Sequence, residues 1–216
     1  MTIDPTATPV VILAAGDYPW HPLPQRLLSE ARMVVCLDSA ADAYHAHTGR
    51  LPHLVVGDGD SLSTALRHRL ADRLVIEAEQ DTNDLCKAVR LLSRSGVGEA
   101  VVLGATGRRE DHTLGNIFHL PDLNRLMRLT MVTDSGTFTP CHGTAHFHLP
   151  PRTPVSVFNI SAQTLRSHGL RWPLRAFTQL WQGTLNEAAA PQFTTQGDGD
   201  YIVFTAHPQP PQRRPQ

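Results

Sequence analysis

The sequence predicts an α/β protein, with an N-terminal parallel-sheet domain and a C-terminal antiparallel β-sandwich or barrel. Up to about Met127, short aliphatic runs alternate with helix-like segments, the pattern of parallel strands joined by right-handed crossovers. Beyond it, short β-rich runs are separated by Pro and Gly without a strong helical period. We therefore expect an α/β domain at 1–127, a β-rich domain at 128–206, and a disordered tail at 207–216, where four prolines occur.

Five buried aliphatic runs of the first part predict its strands: Val10–Ala14, Met33–Leu37, Leu51–Val56, Arg73–Ile76 and Ala100–Leu103. Between them, helices are predicted at Leu23–Ala31, Ala40–Ala46, Thr64–Arg69 and from Asp84 onward. The last is the clearest, because Leu85, Ala88, Val89 and Leu92 follow the helical period. A further helix, with Leu114, Ile117 and Phe118 on its inner face, is expected to close before Pro121.

The tetrapeptide Gly-Asp-Gly-Asp occurs twice, at Gly57–Asp60 and at Gly197–Asp200. The first copy follows a buried strand and precedes a helix, so it is a candidate site. The second lies between two strand-like runs, Phe193–Thr195 and Tyr201–Phe204, which predicts a hairpin turn. Context therefore separates a functional copy from a structural one.

The charge, cysteine and histidine content of the sequence disfavours several classes of function. The formal net charge is -1 and there is no long block of like charge, so neither nucleic acid nor a membrane surface is an expected partner. The first apolar run is too short for a signal or a membrane span. Three widely separated cysteines predict a reduced cytoplasmic location, and the twelve scattered histidines lack zinc-site spacing. Chemistry on small molecules is the leading expectation.

Four loops at predicted strand ends carry polar residues, and parallel strands bring such ends to one sheet edge. They contain Asp38-Ser39, Asp58–Ser61, Asp81–Asp84 and Gly104–His112. Gathered carboxylates suit Mg²⁺, which also takes phosphate oxygens and water as ligands. Two structural alternatives stay open: a solvated Gly-rich turn at Asp58 and Asp60, and a helix cap at Asp81 with Asp84 at the third position.

The loop Gly104–His112 combines glycines, amide groups ahead of a helix and the guanidinium groups of Arg108 and Arg109. These features suit a polyphosphate, although Asp111 as a helix cap and the arginines as a surface pair are alternatives. In the C-terminal part, Trp172 stands between Arg171 and Pro173. It is either a packing residue or a platform for a cationic aromatic substrate.

These motifs, in this order, resemble the thiamine pyrophosphokinase (thiamine diphosphokinase) family. The matching stretches are Asp38–Ala41, Gly57–Ser61, Asp81–Asp84 with Lys87, Gly107–Asn116, and Gly169–Trp172 followed by Gly183–Glu187. The resemblance implies an α/β catalytic domain and a β domain that helps bind thiamine, in a homodimer with sites across the interface. It also implies transfer of the pyrophosphoryl group of ATP to the thiamine hydroxyl, with release of AMP and with Mg²⁺ as cofactor.

The resemblance also implies roles for particular residues. Magnesium ligands are expected at Asp58, Asp60 and Asp84, and catalysis is expected to add Asp81 and Arg109. The implied nucleotide site consists of Asp38, Ser39, Ser61, Asn83, Lys87, Gly107, Arg108, Arg109, Asp111 and His112. Trp172 and Asn186 are expected to bind thiamine. Ser39, Asn83, Arg108 and Leu185 depart from the residues common in the family at those positions.

Two other functions fit the same carboxylates. One is a magnesium-dependent phosphohydrolase or nucleotidyl transferase that acts on another small substrate. The other is a non-catalytic nucleotide or thiamine sensor, which would bind ligand without turnover.

Overall fold

The computed structural model describes residues 3–76 and 81–208, and the chain forms two compact units, Met1–Asp134 and Ser135–Gln216. The boundary expected after Met127 thus lies one strand too early. Most of the expected tail falls outside the described residues, except His207 and Pro208. The His207 N–H donates to the Ser135 carbonyl at 3.0 Å. Within the described ranges, no helix combines the length and apolarity that crossing a membrane requires.

The first unit is built on a parallel sheet of six strands in the order β6-β5-β1-β2-β3-β4. The strands are β1 (Val10–Leu13), β2 (Met33–Leu37), β3 (Leu54–Gly57), β4 (Leu74–Ile76), β5 (Glu99–Leu103) and β6 (Arg128–Val132). β1, β2 and β3 are buried at every position, which explains their continuous aliphatic residues. β6 pairs in parallel with β5, so its assignment to the β-rich domain was wrong. A short strand carries the same sequence pattern in either kind of sheet.

Five helices cross between these strands: α1 (Pro22–Glu30), α2 (Ala40–Thr48), α3 (Thr64–Arg69), α4 (Asp84–Arg94) and α5 (Glu110–Asn124). Side chains of α1, α2 and α3, among them Leu28, Tyr44 and Leu66, form one core cluster with alternate strand residues. α4 packs against β2 and β3 through the predicted apolar face. Sheet order reverses at β1, which leaves a crevice beside the carboxyl ends of the strands.

α5 departs from prediction at two points. It continues to Asn124 with Pro121 inside it and buried, so the predicted end before Pro121 was wrong. The side chains of Leu120 and Leu123 are also buried, and this packing offsets the hydrogen bond that proline cannot donate. Leu114, predicted on the inner face, is 55% exposed, because the buried stripe begins only at Ile117.

The second unit consists of antiparallel strands: β7 (Gly136–His148), β8 (Pro154–Asn159), β9 (Leu165–His168), β10 (Asn186–Glu187) and β11 (Gln192–Ala206). β11 pairs with β7 along its length, and its other edge pairs first with β9 and then with β8. The change of partner coincides with an irregularity between Gly197 and Asp200. The predicted hairpin at this tetrapeptide was therefore wrong, since Gly and Asp also suit a bulge within one bent strand.

Candidate active site

A cavity of about 520 Å³ opens at the carboxyl edge of the parallel sheet in the first unit. Residues that follow β1, β2, β3 and β5 line it, together with the N-terminal turns of α4 and α5. Ten predicted site residues lie on its wall: Asp38, Ser39, Asp58, Ser61, Asn83, Asp84, Lys87, Arg108, Arg109 and His112. Four residues predicted for catalysis, magnesium or the nucleotide are not part of this lining: Asp60, Asp81, Gly107 and Asp111. All four are exposed.

Asp38 and Asp58 face this cavity from the ends of neighbouring strands. The Asp38 carboxylate accepts the N–H of Gly59 at 3.1 Å, and the Asp58 carboxylate accepts the N–H of Asp60 at 2.9 Å. Burial raises the pKa of Asp38, and the nearby charges of Asp84 and Asp58 raise it further, against the lowering effect of the Gly59 bond. The cavity therefore concentrates negative charge, as a cation site requires.

The start of α4 supplies the third carboxylate. Asn83 caps this helix by accepting the Cys86 N–H at 2.9 Å, so the alternative in which Asp81 is the cap was wrong. Asp84 occupies the first turn, and its carboxylate lies 3.2 Å from the Lys87 ammonium nitrogen. The Lys87 side chain is only 6% exposed, so this cation is held inside the wall. Asp84 is thereby fixed beside a positive charge.

Residues 104–109, which connect β5 to α5 and include Arg108 and Arg109, form a segment that we call the arginine loop. Arg109, and not Asp111, is the cap residue of that helix. The Arg109 guanidinium binds both oxygens of Asp111, through Nε at 3.1 Å and Nη2 at 2.6 Å. This bond lowers the pKa of Asp111 to about 2. Arg109 lines the cavity and Asp111 does not, so Asp111 contributes to the site by hydrogen-bonding the Arg109 side chain.

Sequence reasoning did not assign several lining residues to the site, among them Gly16, Thr82 and Asn116. Asn116 donates to the Ala105 carbonyl at 3.1 Å and accepts from the Asn83 amide at 3.3 Å. It therefore ties the arginine loop to the start of α4. Its spacing of one helical turn from His112 was the available signal.

A second pocket, of about 460 Å³, lies in the C-terminal unit and is lined by Trp172, Pro173, Arg175, Phe177 and the segment 182–186. Trp172 is 51% exposed, and the Arg171 guanidinium carbon lies 4.7 Å from its ring centroid. Asn186 is buried. Its side chain accepts the Trp172 N–H at 3.2 Å and donates to the Trp172 carbonyl at 2.7 Å. Asn186 thus holds the tryptophan backbone, a role that spacing alone did not reveal.

Magnesium can be tested against this donor set. Among the residues that the structure describes, no group of three or more His, Cys, Asp or Glu side chains is arranged to hold a metal by itself. Mg²⁺ that arrives with a nucleotide needs only one or two carboxylates, because phosphate oxygens and water complete its shell. Asp58 and Asp84 on the cavity wall meet that requirement. The residues fit a magnesium–nucleotide complex better than an ion enclosed by protein ligands alone.

Comparison with known proteins finds similarity to thiamine pyrophosphokinases in both sequence and structure. A curated relative, "Thiamine pyrophosphokinase 1" of Oryza sativa subsp. japonica, is 25% identical over 190 residues, 74% of this chain and 72% of that protein. The solved thiamine pyrophosphokinase of Bacillus subtilis superposes with a TM-score of 0.73 at 19% identity, over 91% of this chain and 98% of that one. The thiamin pyrophosphokinase of Candida albicans gives 0.74 at 16% identity, over 95% of each chain.

Two family models match consecutive parts of the sequence. The thiamin pyrophosphokinase catalytic domain matches residues 24–131, half of the chain, and the thiamin pyrophosphokinase substrate-binding domain matches residues 136–204. The first range contains Asp38, Asp58 and Asp84 of the first cavity, and the second contains every lining residue of the pocket around Trp172. The chain therefore belongs to the thiamin pyrophosphokinase family.

Proposed function

We propose that this chain, a thiamine diphosphokinase, transfers the diphosphoryl group of ATP to the hydroxyl of thiamine, with AMP as the second product. One observation carries the proposal: a single cavity combines the carboxylates of Asp58 and Asp84 with the cations of Arg108 and Arg109. A magnesium–triphosphate group presents both charges that such a wall can bind. The volume of about 520 Å³ also suits a nucleotide.

Transfer between two bound substrates depends mainly on positioning and on neutralisation of charge. We propose that Asp58 and Asp84 hold Mg²⁺, which neutralises charge on the phosphate oxygens when bound. The Arg109 guanidinium stabilises the departing AMP phosphate, and Asp111 keeps that guanidinium in one orientation. Asp60 remains predicted as a third magnesium ligand, and Asp81 remains predicted to assist.

Thiamine is proposed to bind in the pocket of the second unit. Its charged aromatic ring suits the exposed face of Trp172, through stacking and cation–π attraction. The Arg171 guanidinium, which lies beside the Trp172 ring, pairs with Glu187 at 2.9 Å. That pairing leaves Arg171 less able to repel a cationic ligand. Leu185, at 88% exposure, lies on the pocket rim.

We also propose a homodimer. Besides Trp172, three large apolar side chains of the segment 180–185 are exposed, Leu180 at 46%, Trp181 at 70% and Leu185 at 88%. Exposed apolar groups this close together are typical of a surface that another chain covers. Trp181→Glu should shift the protein toward monomer in analytical ultracentrifugation. A cytoplasmic location is proposed from the free and buried state of Cys36, Cys86 and Cys141.

Product analysis tests the proposed reaction. The protein is incubated with ATP, Mg²⁺ and thiamine, and AMP and thiamine diphosphate are quantified by chromatography. Equal amounts of both are expected, with almost none formed by Asp58→Asn. Asp122→Asn, which changes an exposed carboxylate on α5, serves as the matched control. Phosphate release that ignores thiamine would favour a phosphohydrolase or nucleotidyl transferase, and binding without turnover would favour a sensor.

A further inference from the structure

The loop after β3, residues 58–63, is anchored to the segment after β2 at two points. The Gly59 N–H donates to the Asp38 carboxylate at 3.1 Å. Further along, the Ser63 N–H donates to Asp42 at 3.1 Å, and the Ser63 hydroxyl also donates to that carboxylate. Both acceptors lie within one short stretch of chain, so this stretch fixes the course of the loop.

The first anchor surrounds Asp58. The Asp38 carboxylate lies against the α-carbon of Gly57, where an added Cβ would come within 2.6 Å of its Cγ. It also accepts the N–H of Gly59, which is buried. The Asp38 side chain therefore contacts the residues on both sides of Asp58. This arrangement leaves little freedom for the direction in which the Asp58 side chain leaves the backbone.

Asp38 itself has an uncommon backbone conformation. Its φ is 43°, in the left-handed region that Asp and Asn tolerate better than most residues other than glycine. The Asp38 N–H donates to the Val56 carbonyl at 3.1 Å, and the Asp38 carbonyl accepts the Ala41 N–H at 3.1 Å. Backbone contacts thus hold this conformation from both ends and aim the carboxylate at the Gly57–Gly59 turn.

We propose that Asp38 is a positioning residue, whose carboxylate oxygen holds the Gly57–Gly59 turn so that Asp58 faces the cavity. The inference rests on the proposed function, in which Asp58 is a magnesium ligand, and it differs from the nucleotide contact that the sequence predicts for Asp38. Positioning needs only an oxygen acceptor, whereas neutralisation of the charge of a bound cation needs the carboxylate. Asparagine supplies the first and lacks the second.

Two substitutions separate these roles without adding backbone strain. Asp38→Asn keeps an acceptor for the Gly59 N–H, and Asp38→Gly removes the side chain while tolerating the left-handed conformation. We expect Asp38→Asn to keep kcat/KM for ATP within about threefold of the wild type, and Asp38→Gly to lose about 100-fold, with the KM for thiamine unchanged in both. Asp122→Asn, the exposed control, should behave as the wild type.

A second readout does not depend on activity. In the metal-free protein, amide hydrogen exchange at Gly59 should be slow in the wild type and in Asp38→Asn, and at least about tenfold faster in Asp38→Gly. Gly57→Ala, which retains every carboxylate but displaces that of Asp38, should also accelerate exchange and lower kcat/KM.

Three results would overturn the inference: equal losses of activity in Asp38→Asn and Asp38→Gly, unchanged Gly59 exchange in Asp38→Gly, or an unaffected Gly57→Ala protein. A wild-type protein without thiamine diphosphate synthesis would contradict the proposed function instead. The exchange measurement still decides the role of Asp38 in that case.

Discussion

Removal of the Asp84 carboxylate should destabilise the fold as well as abolish activity, because it leaves the Lys87 ammonium group without this partner. The two groups are 3.2 Å apart, and the side chains are 6% exposed at Lys87 and 31% exposed at Asp84. Loss of one member of a fully buried pair costs about 3–5 kcal/mol. Since water reaches Asp84, we expect Asp84→Ala to lower the free energy of unfolding by about 2 kcal/mol, or the Tm by about 4–8 °C.

Urea unfolding followed by circular dichroism measures this loss, and a double variant isolates its cause. Lys87→Met fills similar space without a charge, so Asp84→Ala combined with Lys87→Met should recover at least about half of the lost stability. A loss below about 0.5 kcal/mol in Asp84→Ala, or no recovery in the double variant, would refute the reasoning. Activity of Asp84 variants should therefore be measured well below their Tm.

Three further outcomes are expected. Trp172→Ala should raise the KM for thiamine about tenfold with little change in the KM for ATP, and equal effects on both constants in steady-state kinetics would indicate a packing role. Arg109→Lys should raise the KM for ATP about tenfold, because lysine cannot donate the paired hydrogen bonds that the guanidinium makes to both oxygens of Asp111. An unchanged KM for ATP would argue against this role of Arg109. Partial burial, with a contribution from Arg73, lowers the pKa of His53 below its ordinary 6.5. The neutral ring accepts the Val34 N–H and so stabilises the fold. This stability is present above pH 6.5 and is lost as the pH falls through the folded-state pKa. His53→Ala should flatten that decline in urea titrations, and an unchanged slope would contradict this role.

Much of the first unit follows from local sequence. The aliphatic run Met33–Leu37 coincides with β2, and the helical period from Leu85 to Leu92 identifies the buried face of α4. Convergence of the strand-end loops was also predictable, because parallel strands end at the same sheet edge. For these elements, the deciding interactions lie within a few residues of one another.

The remaining features depend on contacts between distant residues. Asp58 lines the cavity, whereas Asp60 does not. The turn that contains Asp58 is held by Asp38, which lies at the end of another strand. The course of β11 depends on pairing with β8 and β9, so Gly197–Asp200 became a bulge although the same residues suit a turn. Asn186 likewise acts through the backbone of Trp172. Residue types alone do not specify such partners.

A crystal structure with Mg²⁺ and an ATP analogue that has a methylene group between the α and β phosphates tests the central claim most directly. The analogue resists cleavage at the bond that the proposed reaction breaks. We predict a metal ion about 2.0–2.1 Å from oxygens of Asp58 and Asp84, with the phosphates beside Arg109. Nucleotide bound outside this cavity, or a metal ion that contacts neither carboxylate directly or through water, would contradict the account.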